Sequence, residues 1–460
     1  MQARGSRLPL FVMAACLLFV GGIVTSVYAQ EQQVQIPSNL MNMSVTQLNQ
    51  QGNQLFDQGN FRQALPYFLA ITKKDTTQAG VYSRLSDVEY NLFRLDLAQQ
   101  YLRKAIELEP NNDDYRARFN NLAQLISTFQ EGVDATRNQN YTEALDKFND
   151  VLDQFDGFAP ALYQKGLVYR YMGKPQQAAD FIRQAIKADP DNAHYTQALE
   201  NLAKLHFKDG LDDYKRGNLS GAEDNLKAAL NIDSTMVDAQ YLLGLIARKR
   251  GNTTTAIDWY QAALKTKPSD YRVWYALGLA YQEVARQRDA LNAYQQATQA
   301  NPNYAKAWTQ QGLIQSDLKQ YSGAVSAFQK AIQLDPSDDR AYEGLGIVYM
   351  QQGKYQQAVS QFNTAIGLVN SNSDKATLYY RVSNAQHELG HFQEMKSAAQ
   401  SALKFNPGWA AALINLGGAE CHLGNGDAAL ANWKKATSDS QWRATAEHKI
   451  DVYNKSGECD

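Results

Sequence analysis

A period of 34 residues is the feature of this 460-residue chain that most restricts its fold. The clearest copy of the repeated unit covers residues 271–303 and contains the stretch "WYALGLAY" at 274–281. Four alanines lie 34 residues apart at equivalent places: Ala256, Ala290, Ala324 and Ala358. A fixed period of this length indicates a repeat architecture, because one small unit cannot bury its apolar face without neighbours stacked on it.

Each unit contains two segments with apolar residues three and four positions apart, which predicts two amphipathic helices. Gly278 and Ala290 are small, so we expect the two helices to approach closely there, with Tyr281 and Tyr294 filling the space around the contact. Pro302 ends the second helix and begins the next unit. The sequence therefore predicts an all-α fold, a solenoid of stacked antiparallel helix pairs.

The pattern Trp-x2-Leu-Gly-x2-Tyr, followed by an alanine, an aromatic residue and a proline, resembles the tetratricopeptide repeat family. This resemblance implies a right-handed superhelical solenoid that acts as a protein-binding scaffold and not as an enzyme. A small or equivalent residue in the second helix marks about eleven copies: Ala64, Ala98, Ala144, Ala178, Ala222, Ala256, Ala290, Ala324, Ala358, Met395 and Ala429.

Two intervals are longer than the period, at 46 and 44 residues. We interpret their extra segments, 113–131 and 193–209, as first helices lengthened at the N-terminal end. The predicted organisation is a signal peptide at 1–29, a flexible leader at 30–44, repeats 1–2 at 45–112, a lengthened helix with repeats 3–4 at 113–192, a lengthened helix with repeats 5–11 at 193–440, and a capping helix with a tail at 441–460.

The N-terminus has the composition of a targeting signal. Two arginines precede an apolar run at 8–24, and residues 27–29 suit cleavage before Gln30. We therefore expect an exported protein without a transmembrane segment after cleavage, in the periplasm or at the outer-membrane periphery, serving bacterial envelope assembly or secretion. An uncleaved membrane anchor and lipidation at Cys16 are the alternatives.

Composition and motifs give little support to other function classes. Basic and acidic residues number 45 and 47, so the charge footprint of a nucleic-acid binder is missing. The motif "HELGH" at 387–391 has the spacing of a zinc hydrolase, with Glu388 as the general base. However, Gly390 falls at a turn between helices, so His387 and His391 are not expected to share a face. No cofactor, metal or catalytic residue is predicted, and the zinc hydrolase stays a remote alternative.

Cys421 and Cys459 leave two alternatives open. They either form a disulfide in an exported chain or remain a buried helix residue and a loose tail thiol.

The family resemblance implies that positions five, nine and twelve of each unit face a bound partner across a concave groove. In repeats 3 to 7, positions five and nine form an aromatic row beside an aliphatic row: Phe129, Tyr163, Phe207, Tyr241 and Tyr275, and Val133, Leu167, Leu211, Leu245 and Leu279. Arg170 and Arg248 flank them. Such a surface suits an extended or helical peptide with apolar anchors and some acidic groups. In the alternative, these side chains pack against the next repeat. A self-associating platform, a homo-oligomer, is a second functional hypothesis.

Overall fold

The computed structural model describes residues 34–459, and every regular element in that range is helical. Its 23 α-helices form consecutive pairs followed by one last helix. The first eight are α1 (Val45–Asp57), α2 (Phe61–Lys74), α3 (Ala79–Asn91), α4 (Leu95–Leu108), α5 (Asp113–Arg137), α6 (Tyr141–Gln154), α7 (Ala159–Tyr171) and α8 (Pro175–Ala188). The next eight are α9 (Ala193–Arg216), α10 (Leu219–Ile232), α11 (Val237–Lys249), α12 (Thr253–Thr266), α13 (Tyr271–Glu283), α14 (Gln287–Ala300), α15 (Ala305–Asp317) and α16 (Tyr321–Leu334). The last seven are α17 (Asp339–Gln351), α18 (Tyr355–Leu368), α19 (Asn372–Glu388), α20 (Phe392–Phe405), α21 (Ala410–His422), α22 (Gly426–Ala436) and α23 (Arg443–Ser456).

The predicted all-α solenoid of antiparallel helix pairs is confirmed. Odd-numbered helices from α1 to α21 are the first helices of repeats 1 to 11, and even-numbered helices are the second helices. The chain divides into two compact units, Met1–Leu202 and Ala203–Asp460, and the boundary falls inside α9. Each unit has its own buried clusters of apolar side chains between the helix pairs.

The two helices of a repeat meet where a glycine faces an aromatic ring. A Cβ atom placed on Gly278 of α13 would lie 2.5 Å from Cε1 of Tyr294 on α14, and Tyr294 is fully buried. The same contact recurs as Gly244 with Tyr260, Gly312 with Phe328, and Gly346 with Phe362. The absence of a side chain on one helix therefore makes room for the largest side chain of the other, which explains the spacing of small residues in the sequence.

The two long intervals in the repeat correspond to two long first helices. α5 has 25 residues and α9 has 24, whereas α13 has 13. The N-terminal part of α5 packs on α3, since Arg118 donates to Ser83 Oγ at 2.7 Å and forms an ion pair with Asp87. At the start of α9, Tyr195 is buried against Tyr163. The added turns thus cover the preceding repeat.

The N-terminal segment differs from the predicted flexible leader over its described part, residues 34–44. Leu40, in a short 3-10 helix (Leu40–Asn42), is only 3% exposed and joins the apolar cluster of repeat 1. Lys74 Nζ donates to the carbonyl oxygen of Met41 at 2.7 Å, and Ser44 caps α1 through a reciprocal bond pair with Gln47. An apolar residue within a polar run is sufficient to attach this segment to the solenoid.

The C-terminal tail is attached covalently. Cys421 on α21 and Cys459 form a disulfide, with their Cα atoms 5.6 Å apart. Of the two alternatives, the disulfide is therefore the one that the structure contains, and the prediction of two separate thiols is wrong. Helix α23 covers the last repeat, and its Tyr453 ring lies 6.0 Å from the ring of Trp433. The apolar end of the solenoid is therefore closed by a helix and a crosslink together.

The expected signal peptide at 1–29, with Cys16 and the cleavage site before Gln30, lies outside the described residues. Among residues 34–459, no helix combines the length and the apolar character needed to cross a membrane.

We expect Gly278→Ala to lower the free energy of unfolding by about 1–3 kcal/mol, because the new methyl group overpacks against the Tyr294 ring. Gly367→Ala is the matched control, since Gly367 lies in α18 with no atom near an added Cβ. Helix propensity should leave that variant unchanged or slightly more stable. Urea unfolding followed by circular dichroism compares the two; equal stability of both variants would contradict the account of the helix contact.

Reduction of the disulfide should cost about 2–4 kcal/mol of stability, since the bond closes the chain between α21 and the tail. Thermal unfolding with and without reductant measures this loss. Cys459→Ser should unfold like the reduced protein and should not respond to reductant. A wild-type protein that unfolds identically under both conditions would show that the crosslink contributes nothing.

Candidate functional site

Several first helices of neighbouring repeats lie side by side and share a surface. α5 contacts α7 in the first unit, while α11 contacts α13, and α15 contacts α17, in the second. We call this surface the first-helix face. Since the odd-numbered helices supply it, it contains the sequence positions that were predicted to meet a partner.

In the first unit, the predicted groove residues are engaged mainly in packing between repeats. The Phe129 ring lies 5.8 Å from Phe148 and 5.5 Å from Phe158 of the next repeat, and Val133 is 2% exposed. Tyr163 contacts Tyr195, and burial raises the pKa of Tyr163 to about 12. This is the arrangement that the packing alternative predicts. Partner contact at these positions stays a prediction.

The other two predicted residues of that unit are Leu167 and Arg170. Leu167 is partly buried, like Phe129 and Tyr163, while Arg170 is exposed with its guanidinium 5.8 Å from the Tyr171 ring. Arg170 forms no ion pair within residues 34–459.

In the second unit, the predicted residues are partly buried and retain exposed surface on the first-helix face: Phe207, Leu211, Tyr241, Leu245, Tyr275 and Leu279. Tyr241 lies 6.0 Å from the Tyr260 ring, and Tyr275 lies 5.2 Å from the Tyr304 ring. Among the described residues, neither Tyr241 nor Tyr275 uses its hydroxyl in a hydrogen bond. Both hydroxyls are consequently available to solvent or to a partner.

Ion pairs between adjacent repeats border these tyrosines. Arg248 Nε donates to Glu283 Oε1 at 2.6 Å, and Glu283 also accepts from Thr253. Arg272 pairs with Asp238 and lies 5.7 Å above the centre of the Tyr241 ring. Each partly exposed pair contributes little stability on its own, because water screens it. Together they fix the direction of the arginine side chains on the face.

Burial and the charges of nearby arginines shift the pKa of Tyr275 in opposite directions. Burial raises the pKa of its hydroxyl, while the positive charges of Arg340 and Arg248 lower it in part. Arg340 is the second residue of α17, two repeats further along the chain. The negative charge of Asp338 raises this pKa further, so groups of both signs lie near the unpaired Tyr275 hydroxyl.

Two tyrosines of the second helices end beneath this face and differ in one respect. Tyr294 is fully buried and donates its hydroxyl proton to Gln282 Oε1. Tyr260 is equally buried, but its hydroxyl has no hydrogen-bond partner in the part of the chain that the structure describes. A buried hydroxyl without a partner costs about 1–3 kcal/mol, so Tyr260 calls for a functional explanation.

The "HELGH" residues do not form the face that zinc catalysis requires. His387 lies in the last turn of α19, Gly390 turns the chain with φ 71°, and His391 precedes α20. His391 Nδ1 lies 3.1 Å from Gln386 Oε1, while the His387 ring lies 6.1 Å from that of His422. Within residues 34–459, no group of three or more histidine, cysteine or acidic side chains could hold a metal ion.

Comparison with known families decides the repeat type. A profile described as "Tetratricopeptide repeat" matches residues 79–112, 271–304 and 339–370, and a second one with that description matches 159–192. A profile described as "TPR repeat" matches 244–284 and 312–353. The chain is a tetratricopeptide-repeat protein. The "Tetratricopeptide repeat" matches coincide with the helix pairs of repeats 2, 4, 7 and 9, whereas each "TPR repeat" match runs from within one first helix to the end of the next.

The protein is also similar to solved structures. A tetratricopeptide repeat protein from Parabacteroides merdae is 21% identical, with 55% of this chain and 99% of that chain covered and a TM-score of 0.39. MamA is 25% identical, with 36% and 90% covered and a TM-score of 0.34. YrrB, described as a TPR protein with an unusual peptide-binding site, is 21% identical, with 41% and 96% covered and a TM-score of 0.38. The family assignment rests on the profile matches.

The sequence pattern did not indicate Glu283 and Arg340 on the face, or Tyr260 beneath it. Glu283 and Arg340 lie at helix positions thirteen and two, and only positions five, nine and twelve were assigned to the face for most repeats. The sequence did contain one indication of the role of Tyr260: this position is tyrosine, whereas the equivalent position in repeats 8 and 9 is phenylalanine.

Proposed function

We propose that this protein is a scaffold that holds a partner peptide on the first-helix face of its second unit, along Tyr241, Leu245, Tyr275 and Leu279. One observation carries the proposal. These side chains keep exposed surface in adjacent repeats, and the hydroxyls of the two tyrosines are unpaired among the described residues. Partly exposed tyrosine and leucine side chains with unpaired hydroxyls suit a partner that supplies apolar side chains and hydrogen-bonding groups.

The composition of the face favours binding over mere solvation. Tyrosine and arginine dominate the energy of many protein interfaces because they combine apolar area with directed hydrogen bonds. Here Arg272 lies over the Tyr241 ring, and the charge of Arg248 acts on both Tyr241 and Tyr275. Neighbouring carboxylates hold both guanidinium groups. Their side chains are ordered before binding, so little conformational entropy is lost when a peptide docks.

We further propose that the scaffold is exported and works in the bacterial envelope, at the periplasm or the outer-membrane periphery, in assembly or secretion. The N-terminal pattern of arginines, an apolar run and small residues supports export. The Cys421–Cys459 disulfide also supports it, because disulfides persist in oxidising compartments.

N-terminal sequencing of the mature protein tests the export proposal. We expect a chain that begins at Gln30, since residues 27–29 suit signal peptidase. A chain that retains residues 1–29, or one that begins with a lipid-modified Cys16, would contradict cleavage at this site.

Photo-crosslinking tests the binding face. A photoreactive residue at Tyr241 or Tyr275 should capture the same foreign protein in cells, whereas one at Asn292, exposed on the second helix α14, should not. A peptide from the captured region should then bind the purified protein, and Tyr241→Ala with Tyr275→Ala should weaken that binding at least about tenfold.

Capture of a second copy of this chain would instead establish the self-associating platform. Crosslinks confined to adjacent repeats of one chain would contradict the binding face and assign the two tyrosines to packing.

A further inference from the structure

The second helix of each repeat places one large side chain beneath a glycine of the first helix. This residue is phenylalanine in repeats 3, 8 and 9, as Phe148, Phe328 and Phe362, and all three are fully buried. Repeats 6 and 7 have Tyr260 and Tyr294 at the same place. Because a phenylalanine ring fills this space in other repeats, the two hydroxyl groups are not required for packing.

The two hydroxyls are used differently. The Tyr294 hydroxyl donates to Gln282 on the first helix of its own repeat. The corresponding first-helix residue in repeat 6 is Arg248, a donor, which pairs with Glu283 and cannot accept a proton from Tyr260. The Tyr260 hydroxyl therefore remains buried and without an acceptor among the described residues.

The groups around Tyr260 belong to the first-helix face. Its hydroxyl interacts electrostatically with Arg248, Tyr241, Glu283 and Tyr214, and burial raises its pKa. Arg248 uses Nε for Glu283, and in residues 34–459 its two terminal amino groups form no hydrogen bond. A phenol and a guanidinium thus lie close together, and both have donors without acceptors.

Two further cations on the face add positive charge, beside the negative charge of Glu283 that also acts on Tyr260. Lys249 lies 5.8 Å from the centre of the Tyr214 ring, and the charge of Arg340 acts on Tyr275. Neither Lys249 nor Arg340 forms an ion pair within the described part of the chain. In the free protein Glu283 occupies only Arg248 Nε, so the two terminal amino groups are left for a second carboxylate.

We propose that the Tyr260 hydroxyl and the Arg248 amino groups recognise the carboxylate of an acidic side chain in the bound peptide. This inference rests on the proposed function, for which it names the chemistry of the partner. A carboxylate accepts several hydrogen bonds and would satisfy both donors at once. Tyr260 has no exposed surface, whereas the Arg248 side chain is 30% exposed. The carboxylate reaches the hydroxyl when the Arg248 side chain moves outward.

Three pools of twelve-residue peptides test the proposal against the immobilised full mature chain. The pools have Glu, Gln or Leu at a central position and the same random mixture elsewhere. We expect the Glu pool to be retained about tenfold more than the Gln pool, because hydrogen bonds to a charged acceptor are the stronger ones. Equal retention of the Glu and Gln pools would show that an uncharged carbonyl suffices and would overturn the proposal.

Two matched variants assign the preference to one hydroxyl. Tyr260→Phe keeps the ring beneath Gly244 and should abolish the preference for Glu, while its unfolding temperature stays the same or rises. Tyr294→Phe should keep the preference but unfold at a lower temperature, because it loses the bond to Gln282. A Glu preference that survives Tyr260→Phe, or a Tyr260→Phe variant as destabilised as Tyr294→Phe, would overturn the proposal.

The failure of this inference can be distinguished from the failure of the proposed function. If all three pools are retained equally and Tyr241→Ala releases them, the face binds peptides and the carboxylate recognition is wrong. If no pool is retained above the empty support, both are wrong.

Discussion

The contact between a glycine on one helix and a large ring on the other is the constraint on which this solenoid depends. At Gly278, an added methyl group would collide with the Tyr294 ring, and the same holds at Gly244, Gly312 and Gly346. The close approach lets each of these pairs bury one ring completely. Without it, the helices would separate, and stacking of successive repeats would leave cavities.

This packing rule also connects the core with the surface. A ring that passes beneath the first-helix glycine ends just below the first-helix face. A tyrosine can therefore replace phenylalanine there and place a hydroxyl group near the face without changing the packing of the ring. The Tyr294 hydroxyl donates a hydrogen bond to Gln282, and this bond stabilises the repeat itself. The Tyr260 hydroxyl has no hydrogen-bond partner among the described residues, and the two terminal amino groups of Arg248 form no hydrogen bond there either. Two repeats with the same fold thereby differ in what they offer to a partner.

The regular part of the fold was predictable because each of its features repeats. The spacing of alanines and glycines indicated the helix pairs, and the intervals of 46 and 44 residues indicated the long helices α5 and α9. Features that occur once were not predictable: burial of Leu40 depends on a surface built by distant residues, and the Cys421–Cys459 bond depends on where α23 returns the chain. The residue types on the first-helix face were predictable, but their exposure was not, since helical register cannot tell whether Phe129 meets a neighbouring ring or a ligand.

Hydrogen–deuterium exchange tests most directly whether the first-helix face of the second unit is the binding surface. The chain is measured alone and with the tightest-binding peptide of the Glu pool. The account predicts slower exchange in α11 and α13, the first helices that carry Tyr241 and Tyr275, with little change in the second helices α12 and α14. Protection confined to the second helices, or none at a peptide concentration that saturates binding, would contradict it.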